Sequence, residues 1–134
     1  MWRPGRSPGR RQPPIPDVRV LIVDDEPDIR ATVSAMLEIE GYDVDEAANG
    51  ADALHAIEQR APDLILLDMR MPVLDGWGFA RELRLRGHGI PIVVMTAARD
   101  AARWAGEIAA ASFVAKPFGF DDLITAVEEA RPAD

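Results

Sequence analysis

The sequence predicts an α/β protein made of five consecutive β-α units, a parallel sheet doubly wound by helices on both faces. Two observations carry this. From Asp17 onward, short apolar runs alternate with segments of helical period, the order expected of a parallel sheet with covering helices. Some of the runs, VRVLIV and DLILL among them, are nearly continuously apolar, as strands covered on both faces are. Right-handed crossovers then leave few topologies. Ligands of such sheets bind beyond the carboxyl ends of the strands.

Each element has its own signal. Val18–Val23 is the first strand. Pro27 opens the first helix, since its missing N–H costs nothing at the first helical position; Ile29, Val33, Met36 and Leu37 mark its inner face, and Gly41 suits its C-terminal cap. Tyr42–Glu46 is a more polar strand, expected near an edge. Ala51–Arg60 is a helix with Ala53, Leu54 and Ile57 inward. Asp63–Leu67 is a buried strand ending at Asp68. The loop Met69–Gly76 holds Pro72 and an Asp-Gly pair, both turn signals. Trp77–Arg86 is the third helix, broken by the GHG triplet at 87–89. Ile90–Met95 is the fourth strand. Asp100–Ala110 is a helix of low hydrophobicity, in which Trp104 is either a packing residue or an exposed one. Ser112–Ala115 is a short fifth strand, and Phe120–Ala130 a fifth helix with Leu123, Ile124 and Val127 inward.

Composition narrows the functional classes. Residues 1–16 hold Arg3, Arg6, Arg10 and Arg11, no acid and many Pro and Gly, so a disordered basic tail is expected there, with one domain over 17–134. With a chain total of −8, removing those four positive charges leaves −12 on residues 17–134. A domain so acidic is poorly suited to gripping nucleic acid directly. The chain has no cysteine, which excludes disulfides and thiolate metal sites and suits a cytoplasmic location. No apolar run approaches the ~20 residues of a membrane span. Of the fifteen basic residues the only lysine is Lys116, which suggests a place needing a compact ammonium. His55 and His88 have no ligand partner at a useful spacing and are expected on the solvated surface. GWG at 76–78 follows no strand directly and is no dinucleotide fingerprint.

The chemistry gathers at the strand ends. Asp24 and Asp25 follow the first strand, Asp68 the third, Thr96 the fourth, and Lys116 with Pro117 the fifth. A parallel sheet puts all of these on one edge. Each alone has an ordinary structural use, since Asp and Thr cap helices and Asp turns loops; Asp24 or Asp25 could cap the first helix, and Asp75 is expected in a turn. Together they make another case. Three adjacent carboxylates resist ionising together, and a hard divalent cation relieves that. A cation beside one carboxylate, with an ammonium and a hydroxyl opposite, is a receptacle for a phosphoryl group, whose transfer depends on positioning and charge neutralisation. An aspartate can be the nucleophile. Asp68 is the best choice, because the third strand is expected at the centre.

The stretches LIVDDE, LILLDMRMPVLDGW, PIVVMTA and FVAKPF resemble, in order and at the usual spacing over residues 17–131, the motifs of response-regulator receiver domains of two-component signalling. The resemblance implies the flavodoxin-like strand order 2-1-3-4-5. It implies Asp68 as phosphoacceptor, Asp25 as a direct ligand of Mg2+ or Mn2+, Asp24 as its neighbour acting through water, and the backbone carbonyl of Arg70 completing the metal shell. It further implies Thr96 as the switch hydroxyl, Lys116 as the contact to a phosphoryl oxygen, Pro117 after a cis peptide bond, and Phe113 at the aromatic switch position. The sequence also departs from the pattern. Phe113 lacks the hydroxyl of the more usual tyrosine, Ala109 stands where a glycine commonly ends the fourth helix, and Ala111 and Ser112 replace an acidic pair. Arg70 and Ala98 occupy the two variable positions that tune phosphoryl lifetime.

The function so implied is signalling. A sensor histidine kinase or phosphotransfer protein donates a phosphoryl group to Asp68, and the face of the fourth helix, fifth strand and fifth helix passes the change to a protein target or a second copy. The chain would catalyse only its own phosphotransfer and dephosphorylation. The fifth helix ends close to Asp134, so no output domain is expected. Two other classes are an aspartyl-phosphate hydrolase and a phosphorylation-independent binding module of the same fold. The first usually carries Asp-x-Asp and a cap segment, whereas here the acids are adjacent. The second has no need of Asp24, Asp25, Asp68, Thr96 and Lys116 together.

Overall fold

A computed structural model describes residues 18–131; the tail expected over 1–16 lies outside the described residues. The elements run β1 (Arg19–Val23), α1 (Pro27–Ile39), β2 (Asp43–Ala47), α2 (Gly50–Gln59), β3 (Leu64–Asp68), α3 (Gly76–Leu85), β4 (Ile92–Ala97), α4 (Ala98–Glu107), β5 (Ser112–Lys116) and α5 (Phe120–Ala130). The strands form one sheet in the order β2-β1-β3-β4-β5, and every pairing is parallel. β3 is therefore central, and β2, the most polar strand, lies at an edge.

Alternation along the central strands divides the core. Leu21, Val23, Ile65, Leu67, Ile92 and Val94 pack against α2, α3 and α4 through Leu54, Ile57, Phe79, Leu83 and Trp104. Val20, Ile22, Leu64, Leu66, Val93 and Met95 pack against α1 and α5 through Val33, Leu37, Leu123, Ile124 and Val127. Both faces are dry, so a register slip would exchange apolar for apolar side chains and cost little by pattern alone. The connecting loops, closed by helix caps, hold the register.

Three helices end in the same double hydrogen bond. After α1, Gly41 N–H donates to Glu38 and Tyr42 N–H to Leu37; after α3, Gly87 to Arg84 and His88 to Leu83; after α4, Ala109 to Gly106 and Ala110 to Ala105. The motif requires a left-handed residue at its turning point. Gly41 and Gly87 supply it at φ 95° and 84°, but Ala109 must adopt φ 53°, with a methyl group opposing it. The loop after β3 holds a second such residue, the exposed Val73 at φ 72°, where a β-branched side chain is worse still.

Some boundaries differ from the sequence expectation. Asp68, Thr96 and Lys116 lie within strands rather than past them, because pairing continues to Asp68↔Met95, Thr96↔Ala115 and Ala97↔Lys116. α4 starts two residues earlier than expected, directly after β4 and without a side-chain cap. Neither Asp24 nor Asp25 caps α1, whose N-cap is Glu26. Asp75 is the N-cap of α3, accepting from Gly78 N–H at 2.9 Å.

Candidate functional site

The carboxyl ends of β1 and β3 lie side by side, with Val23 paired to Leu67, so the residues that follow meet above the sheet. Asp24, Asp25 and Asp68 each offer a carboxylate oxygen, and these lie within 4.8 Å of one another. Their surroundings differ. Asp24 is fully buried and Asp68 nearly so, whereas Asp25 is exposed.

Asp24 is committed at both oxygens. Its Oδ1 accepts the Glu26 N–H at 2.9 Å, which tightens the turn into α1. Its Oδ2 accepts from Lys116 Nζ at 2.9 Å, across from β5. The same ammonium stands 3.7 Å from Asp68 Oδ1. Lys116 thus rests on Asp24 and leans toward Asp68. For Lys116 the largest single effect, burial, favours the neutral amine. The hydrogen bond to Asp24 and the charges of Asp68, Asp24 and Glu26 together outweigh it, so its pKa is raised.

Asp68 is pushed up from 3.8 to about 6. Burial is the main cause, since it penalises the charged form; the charges of Asp24 and Asp25 add to it, while Lys116 and a hydrogen bond from the Arg70 main chain oppose it. A carboxylate held this way is poised to gain from a nearby cation. The acidic trio consists of hard oxygen donors, the set preferred by Mg2+, so such an ion fits the residues present.

The remaining predicted residues fall into two groups. Thr96 is buried at this same edge, one position beyond the partner of Asp68 on β4. The Lys116–Pro117 peptide bond is cis. Phe113 stands apart, 46% exposed near the start of β5, on a groove bordered by Asp121, Asp122 and Glu129 of α5. Trp104 is a packing residue, 5% exposed, edge-on to Trp77 with centroids 4.8 Å apart.

Arg30, unremarked in the sequence, also serves the site. Its Nη1 donates to the Asp24 carbonyl at 2.6 Å and its Nε to Glu46 at 3.2 Å. Glu46 in turn accepts from the Ser34 hydroxyl at 2.8 Å. A chain of polar contacts thus fixes the turn carrying the two acids. One signal was available: a cation near a helix N-terminus opposes the helix dipole and so calls for another reason.

Comparison with known proteins identifies the family and the fold. The family model described as response regulator receiver domain matches residues 20–128. Sporulation initiation phosphotransferase F of Bacillus subtilis (strain 168) is 35% identical over 116 residues, which cover 85% of this chain and 94% of that protein. Response regulator MprA of Mycobacterium sp. (strain KMS) is 40% identical over 110 residues, 80% of this chain and 47% of that protein. A probable transcriptional regulator ycf27 of Porphyridium aerugineum is 40% identical over 107 residues, 78% and 44% respectively. The chain thus spans about half the length of several curated relatives it matches. Among solved structures, chemotaxis protein CheY4 of Vibrio cholerae superposes with a TM-score of 0.77 at 30% identity, covering 85% of this chain and 98% of that one. The receiver domain of NtrX from Brucella abortus gives 0.77 at 36% identity, covering 83% and 96%.

Proposed function

The chain belongs to the response-regulator receiver family, and from that premise we propose that Asp68 is the side chain that takes up the phosphoryl group. The observation that supports this most is the placement of the Asp68 carboxyl. It lies on the central strand, buried, with Lys116 3.7 Å away and two further acids beside it.

The donor is a phosphohistidine of a sensor kinase or phosphotransfer protein. A carboxylate oxygen of Asp68 bonds to phosphorus as the phosphorus–nitrogen bond breaks, and the imidazole leaves with its electron pair and takes a proton from solvent. At neutral pH a carboxyl titrating at about 6 is mostly ionised, as the attack requires. Asp25, Asp68 and the Arg70 carbonyl would hold Mg2+, with Asp24 acting through water. When bound, the ion neutralises the carboxylates and the equatorial oxygens of the phosphoryl group. Lys116 moves from Asp24 to a phosphoryl oxygen and the Thr96 hydroxyl donates to another. The two movements bias α4 and β5 toward a second packing. The face formed by α4, β5 and α5 then presents that packing to a protein target or a second copy. The match along 94% of a phosphotransferase supports a relay as one use of this reaction.

Intact-mass measurement after incubation with acetyl phosphate and Mg2+ tests the assignment. Wild type gains one phosphoryl mass and Asp68→Asn gains none. Equal labelling of the variant would remove Asp68 from the role, and absence of label on wild type would favour a binding module that has no phosphorylation step. Steady phosphate release from a panel of small phosphomonoesters would favour a hydrolase.

A further inference from the structure

Arg70 sits two residues past Asp68 and touches two different things. Its main chain hydrogen-bonds the Asp68 carboxyl. Its guanidinium lies over the indole of Trp104 in α4, 5.1 Å from the ring centroid. Among the described residues no carboxylate pairs with it. The other cation near that ring, Arg103 at 5.9 Å, is anchored by its own acid, Asp100, at 2.9 Å. Trp104 is held from a further side by Trp77, which packs on its edge and donates from Nε1 to Glu107 at 2.9 Å. α4 is thus tied to the loop after the acceptor and to the start of α3 through one aromatic ring.

We infer that the Arg70–Trp104 stack is a latch, in which one guanidinium is shared between the face of Trp104 in the resting protein and the phosphoryl oxygens on Asp68 in the modified one. The inference rests on Asp68 being the acceptor. Its physical basis is a difference in strength. A cation over an indole at an exposed site is a weak contact. A guanidinium on phosphoryl oxygens makes short, charge-assisted and often bidentate hydrogen bonds. A phosphoryl group on Asp68 therefore takes Arg70 from Trp104, and α4 loses its tie to the acceptor loop. Conversely, the indole competes for Arg70 and weakens the hold on the phosphoryl group. The position of Arg70 thus becomes a coupling device between the site and α4, and the partner ring on α4 completes it.

Competition predicts a specific non-additivity, readable with beryllofluoride and Mg2+ as the mimic of a phosphoryl group on Asp68. Trp104→Leu frees Arg70 and tightens mimic binding by about two- to fivefold, the size of a cation–π contact at an exposed site. The same substitution made in Arg70→Ala changes nothing, because no guanidinium remains to be freed; Arg70→Ala keeps the main-chain N–H and carbonyl in place. Should Trp104→Leu fail to fold, Trp104→Phe gives a smaller shift of the same sign. In the full chain labelled with 5-fluorotryptophan, Arg70→Ala displaces the Trp104 fluorine resonance, and the mimic moves the wild-type resonance in that direction. Equal effects of Trp104→Leu in both backgrounds, or a Trp104 resonance unmoved at saturating mimic, overturn the latch and leave the acceptor assignment standing. A wild type that binds no mimic overturns both.

Discussion

Replacing Asp68 by Asn should stabilise the metal-free protein, and by an amount that grows with pH. The carboxyl titrates at 3.8 in the unfolded chain and at about 6 in the folded one. The folded state therefore holds this proton more tightly. The contribution is favourable to folding below pH 4 and is lost as pH rises through about 6. At about 1.4 kcal/mol per pH unit, the ionised carboxylate costs the folded state about 3 kcal/mol at pH 8 and about 1.6 kcal/mol at pH 5. Asn has the same shape, carries no charge and still accepts the Arg70 N–H. The gap between Asp68→Asn and wild type should thus widen by about 1.4 kcal/mol between pH 5 and pH 8. Urea unfolding followed by far-ultraviolet circular dichroism in EDTA measures it. At pH 8 the midpoint of the variant should lie higher by about 1 M or more, given ordinary slopes for a domain of this size. Mg2+ should narrow the gap, because only wild type keeps the full acidic set. A variant less stable than wild type at pH 8, or a gap independent of pH, would refute the claim that burial and the neighbouring acids dominate at Asp68.

Three further outcomes are expected. Asp25→Asn should bind Mg2+ more weakly, so that the rise in melting temperature produced by added Mg2+ shrinks; an unchanged rise removes Asp25 from the ligands. Lys116→Arg should still be labelled by acetyl phosphate, yet lose most of the Trp104 response to it, because a planar fork does not fit where a compact ammonium bridges 2.9 Å to Asp24 and 3.7 Å to Asp68; a normal response contradicts this. Val73→Gly and Ala109→Gly should each stabilise by about 1 kcal/mol, a few degrees of melting temperature, since each relieves a left-handed backbone at a cost in chain entropy that does not cancel the gain; unchanged melting curves would show the two turns to be unstrained.

Much of the fold was legible because the signals were local and mutually consistent. VRVLIV, DLILL and PIVVM are apolar apart from Arg19 and Asp63, and the structure buries β1, β3 and most of β4 on both faces. Gly41 was legible as a cap because only a left-handed residue closes that turn. The clustering of Asp24, Asp25, Asp68 and Lys116 followed from topology alone, since parallel strands deliver their ends to one edge. Less visible were features decided by competition in space. The early start of α4 was hidden by its weak apolar stripe and by the absence of a capping side chain. Trp104 could be packing or exposed until Trp77 was placed against it. Nothing in the spacing of residues says that Lys116 rests on Asp24 rather than on Asp68, or that Arg70 turns toward α4. Both depend on a few ångströms of side-chain reach.

Those last two placements share a logic that concerns charge. With the three acids ionised, one ammonium leaves the resting pocket about two charges negative, which a divalent cation would balance. A phosphoryl group on Asp68 replaces a single charge by nearly two at neutral pH. One further negative charge then stands uncompensated in a pocket whose acceptor is almost fully buried, where such an imbalance is costly. Lys116 adds nothing to this balance, because its charge is already counted whether it rests on Asp24 or moves to a phosphoryl oxygen. Arg70 can, since its guanidinium lies over an uncharged ring and, among the described residues, pairs with no carboxylate that its departure would strand. The cation whose departure costs the resting structure least is the one attached to α4, and its transfer would carry the charge state of Asp68 to that helix.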